Sequence, residues 1–177
     1  MRISMRGTEG GVRVRVRLDV NRRRWLITRI SLWLLALTGI YTGVWAVLFP
    51  AAWYRSYPGL GLDWVAADGP FNHHLAADVG AFFLGFGVLS LAALYYGDSL
   101  VARVAGIGWL VMGVPHVVYH AAHRPEQLGS SNYALSLFAA LLLPILAAIV
   151  VVAAPRERVR LRDPAPMTIR FPRRRNR

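Results

Sequence analysis

Four apolar stretches divide this sequence, each close to the thickness of a bilayer in length. Residues 30–49 and 133–154 carry no charge, residues 79–97 follow Asp78, and residues 104–119 follow Arg103. A helix needs about 20 largely apolar residues to cross the hydrocarbon core. Two stretches reach that length outright, and the other two reach it once their polar ends are counted. Four water-soluble helices this apolar on every side would have too little polar surface to face solvent. The sequence therefore predicts an all-α fold, an integral membrane four-helix bundle over residues 25–154. Its spans fall at about 28–49, 74–97, 99–121 and 132–154, with an outward loop at 50–73 and basic cytoplasmic tails at 1–24 and 155–177.

Charge orients the bundle. The chain carries a formal net charge of +12, and every basic residue is an arginine. Nine arginines precede Ile30 and nine follow Ala154, whereas the two outward segments hold only Arg55 and Arg124 beside Asp63, Asp68 and Glu126. Basic residues stay on the cytoplasmic side, so a multi-pass protein of the plasma membrane with both termini cytoplasmic is expected. Gly97-Asp98 is then an inner hairpin tip. The first apolar run is too long, and its basic leader too extended, for a cleaved signal peptide. Without cysteine, neither disulfides nor thiolate chemistry are available.

The tails alternate in period two: Val12, Val14, Val16, Leu18 and Val20 interleave with Arg13, Arg15, Arg17 and Asp19. Strict alternation marks a strand, and the C-terminal tail, with its alternation over 156–163 and a short run at 167–171, offers a partner. The reading preferred over such a sheet is a pair of flexible arms held to anionic lipid, at about 1 kcal/mol per arginine. No aromatic residues interleave the arginines as a single-strand groove would require, so nucleic acid is not expected as a partner.

Ionisable groups converge at the outer ends of the second and third spans. If Gly97-Asp98 is the tip, positions whose numbers sum to about 194 share one depth at ~1.5 Å rise per residue. His74 then matches His120, and Asp78 matches His116, so two i, i+4 pairs are expected to face each other. Imidazoles with a carboxylate are ordinary ligands for zinc, copper or iron. His74, Asp78, His116 and His120 form the candidate metal set, with Asn72, His73, Tyr119, His123 and Asn132 around it and the aromatic loop 50–71 as a lid. Gly106, Trp109, Gly113, His116, His120 and His123 fall on one stripe of the third span, interrupted by Pro115. Thr38, Tyr41, Thr42 and Trp45 on the first span serve as anchors or wall the site, and Gly39 and Gly43 form a GxxxG approach surface.

The run from Trp64 through Asn72-His-His-Leu-Ala-Ala-Asp78 to Gly80, followed by Pro115-His-Val-Val-Tyr-His120, resembles a group of small four-span actinobacterial membrane proteins, DoxX-like in overall shape. The resemblance implies the bundle and points to Asn72, His74, Asp78, His116 and His120, without implying an activity. The first functional expectation is a metal-binding membrane protein of redox or hydrolytic type. The second is a non-enzymatic accessory or structural subunit, a homo-oligomer or part of a larger membrane complex, with a hydrogen-bonded His/Asp cluster. A haem b site between His74 and His120, or a proton path, ranks below both.

Overall fold

The computed structural model describes residues 2–8, 11–17, 21–156 and 167–170. Its order is β1 (Arg2–Thr8), β2 (Gly11–Arg17), α1 (Arg22–Leu48), α2 (Pro50–Ser56), β3 (Pro58–Gly59), β4 (Leu62–Asp63), α3 (His73–Tyr96), α4 (Ser99–Ala122), α5 (Ser130–Ala153) and β5 (Met167–Arg170). The protein is an integral membrane four-helix bundle: α1, α3, α4 and α5 are each long and apolar enough to cross a membrane. Each expected span lies within one of these helices but for a residue or two at its ends; α1 differs most, starting six residues early. There the Asn21 side chain accepts from the amides of Arg23 and Arg24, capping the helix ahead of the apolar run.

Helices neighbouring in sequence run antiparallel, and the four close into a ring in the order α1, α3, α4, α5. Gly97 ends α3 at φ 58, a left-handed conformation that favours glycine, and the Asp98 carboxylate caps α4 by accepting from Leu100 at 2.8 Å. The tightest seam joins α1 to α3. A Cβ on Gly39 would stand 2.6 Å from the Gly87 Cα, so two backbones meet there with no room for a side chain. Leu32, Leu35, Phe83, Trp109, Leu143, Ala147 and Val150 fill the interior. Inside it the Trp109 indole donates to Ser90 across α4 and α3 at 2.9 Å. Pro115 and Pro144 both lie within continuous helices, and Gly113 leaves the space that Pro144 occupies.

At the tail end of the bundle, Arg103 on α4 donates to the carbonyls of Ala154, Pro155 and Arg156, at and just past the end of α5. Arg24 on α1 donates to the Val152 carbonyl of α5 at 2.6 Å, an acceptor that the last turn of that helix leaves free.

The tails correct the preference for flexible arms. β1, β2 and β5 form a three-stranded antiparallel sheet in that order. The alternation at 12–17 is indeed a strand, and Val12↔Ile169 and Arg13↔Thr168 pair it with the run at 167–170. Its second partner is Arg2–Thr8, which the sequence reading passed over. The alternating arginines at 157–163 lie outside the described residues.

The segment between α1 and α3 is also more ordered than a loop. Pro50 both ends α1 and opens α2, where its missing amide costs nothing. Trp53 on α2 packs into a second cluster with Ala46 of α1 and Ala76 of α3. A two-stranded hairpin follows, with Gly59, Leu60 and Gly61 all at positive φ.

Candidate functional site

Each expected pair forms within its own helix. On α3, Asn72 caps the first turn by accepting from the Leu75 amide at 3.1 Å, and His74 Nε2 lies 3.3 Å from Asp78 Oδ2. On α4, the His116 and His120 rings stand edge to face with centroids 4.5 Å apart. Both follow Trp109 and Gly113 along the stripe expected for that helix. His116 faces the Phe83 ring of α3 at 6.5 Å.

The two pairs do not meet. The side chains of His74 and Asp78 are 88% and 50% exposed, whereas the buried side of α3 is drawn by Ala76, Gly80, Phe83, Gly87, Ser90 and Ala93. At roughly 100° per residue, His74 and Asp78 lie about half a turn around the helix from that side. A rule of equal depth says nothing of rotation. Rotation is set by the glycine seam with α1, which points Gly80 and Gly87 inward and carries His74 and Asp78 outward. Among the described residues, no group of three or more His, Asp or Glu side chains is placed to hold a metal ion. His74 and His120, the pair considered for haem, likewise face different ways.

The surrounding residues have other tasks. His73 begins α3 with its ring edge-on to Phe71 at 6.3 Å. His123 ends α4, where its Nδ1 lies 3.0 Å from the Tyr119 carbonyl and its ring stacks on Tyr119 at 4.4 Å. Asn132 is half-buried in the first turn of α5. Beside it Tyr133 donates to the His120 carbonyl at 3.0 Å, with the Arg124 guanidinium 5.2 Å above its ring. This clasp between α4 and α5 was missed in the sequence, where Arg124 and Tyr133 gave only a loop charge and a span-end aromatic.

The aromatic segment forms a cap over α1 and α3. Tyr41 donates to the Pro58 carbonyl at 3.1 Å, Thr42 and the Tyr57 hydroxyl share a hydrogen bond at 3.1 Å, and Tyr54 donates to the Gly69 carbonyl at 2.6 Å. Tyr41, Thr42 and Trp45, considered as walls of a histidine site, hold this cap instead, with Trp45 6.3 Å from the Tyr57 ring. Burial raises the Tyr57 phenol above 10.0, partly opposed by the bond from Thr42. The buried indole nitrogens of Trp53 and Trp64 have no acceptor among the described residues.

The class that fold and site define is a polytopic four-helix membrane protein with an inward-facing imidazole pair and an outward-facing His/Asp pair. Comparison with protein families, with curated proteins and with solved structures finds no match.

Proposed function

We propose that this chain is a non-enzymatic subunit of an integral membrane assembly, engaged through the outward face of α3. One observation carries the reading: Asp78, in contact with His74 one turn before it, is turned away from the chain's own bundle. The 24 residues of α3 span roughly 36 Å against a hydrocarbon core of about 30 Å. Asp78, five residues past the start of the helix, thus falls a few ångströms inside the core. A carboxylate there costs about 2.5–3.5 kcal/mol on insertion scales, and such groups turn toward protein rather than lipid. A protein partner on this face accounts for it.

The arginine asymmetry supports both ends in the cytoplasm, and the sheet that joins the two tails supports their lying on one side of the membrane. Arg6 and Arg13, both exposed, stand directly opposite each other in that sheet. Like charges so placed repel, and the anionic headgroups of the inner leaflet relieve the repulsion.

The test is native mass in mild detergent. The wild-type protein runs above the mass of one chain, and Asp78→Leu, which suits lipid better, falls to it. A wild type already at single-chain mass overturns the reading. The His116–His120 geometry favours a second reading, a metal ion held by two imidazoles on one helix face, as i, i+4 histidines do in zinc sites. Elemental analysis that finds zinc, copper or iron in the wild type and none in His116→Ala establishes it.

A further inference from the structure

All four spanning helices turn large apolar side chains outward, α3 among them with Leu75, Phe82 and Tyr95. α1 presents Ile30, Leu34 and Leu37, α4 presents Val104, Ile107, Val111 and Val118, and α5 presents Leu135, Phe138, Ile145 and Val152. α3 differs along one line: His74, Asp78, Ala81, Gly85, Val88 and Ala92. The steps of 4, 3, 4, 3 and 4 average 3.6, so the six positions keep to one side of the helix. Ala81 and Gly85 are exposed, and a Cβ on Gly85 would meet nothing within 4 Å, unlike those on Gly80 and Gly87. Lipid contact alone does not require an imidazole and a carboxylate above two small residues.

We infer that this line pairs with the same line of a second copy of the chain, about a twofold axis along the membrane normal. The inference rests on the reading of α3 as an interface and adds its occupant. The reason for a second copy is charge complementarity. In a twofold interface each surface meets itself, so a face carrying only acid or only base would repel its copy. This face carries an imidazole and a carboxylate one helical turn apart. The two helices can therefore exchange partners, His74 of one with Asp78 of the other, and shield both carboxylates from lipid together. Below them, Ala81 and Gly85 let the backbones approach closely, as small residues do where membrane helices pair.

The chain has no cysteine, so single cysteines report on the full-length protein in its native membrane. Oxidation of Ala81→Cys and Gly85→Cys is expected to give a product of twice the chain mass, several-fold more than Val111→Cys on the lipid face of α4. Gly85→Leu shifts the native mass to that of one chain. Exchanging the pair, His74→Asp with Asp78→His, keeps complementarity and keeps the dimer. Equal cross-linking at 85 and 111 overturns the inference. So does a product in which mass spectrometry identifies a different protein, although α3 then remains an interface. Absence of any product, with a native mass of one chain, removes both readings. If Gly85→Leu fails to accumulate, the cysteine comparison still decides.

Discussion

At the scale of single residues, the cap depends on a phenol kept from water. Tyr57 touches Trp45, Trp53 and Tyr41 and shares its hydroxyl with Thr42. Its folded-state pKa is raised above the ordinary 10.0. For an acid whose proton is held more tightly when folded, the linked stability is complete below the unfolded value and is lost as pH rises through the folded one. Alkaline titration followed by tyrosinate absorbance should therefore show one phenol ionising after the rest, and Tyr57→Phe should remove that late step. A late step that survives the substitution would assign it to another tyrosine. The same residue shows a limit of sequence reading. Its aromatic neighbours suggested a lid over histidines, but Thr42, one turn of α1 away from Thr38 and Trp45, was what its hydroxyl sought.

At the scale of elements, small residues decide which side of each helix is inside. Gly39 meets Gly87, and Gly43 meets Leu84, at distances a methyl group would violate. Gly39→Val should cost about 1–3 kcal/mol or more through overpacking. Gly85→Ala, which meets nothing within its own chain, should leave the fold of a single chain within about 0.5 kcal/mol. Denaturant titration in detergent, at a protein concentration that keeps chains single, checks both. The helices themselves were legible in the sequence, because apolar length and the Gly97-Asp98 turn leave little choice. The inward stripe of α4 was legible as well, since Trp109 and two glycines share its spacing. The rotation of α3 was not. Gly80, Gly85 and Gly87 look alike in sequence, and only contact with α1 reveals that two face inward and one outward. The four-residue site failed on that rotation, which no rule of matching depth can supply.

At the scale of the whole molecule, a ring of four antiparallel helices is accompanied by a sheet drawn from both ends of the chain. The period-two pattern made β2 legible, but strand pattern does not name a partner, and the N-terminal Arg2–Thr8 was as eligible as the C-terminal tail. Both turned out to pair with it. A Val12→Cys, Ile169→Cys double variant, whose positions are register partners, should link within one chain under a short bifunctional reagent. Tryptic fragments joined across the two tails would show it, and links found only between chains would contradict the register. The order of the strands also bears on how the protein is made. β2 is synthesised before any span, whereas β5 follows the last of them. The sheet can be completed only after every helix has been threaded into the bilayer. A chain that skipped one span would leave these strands on opposite sides of a barrier that neither crosses, so the finished sheet acts as a proof of correct insertion, written into the two ends of the polypeptide.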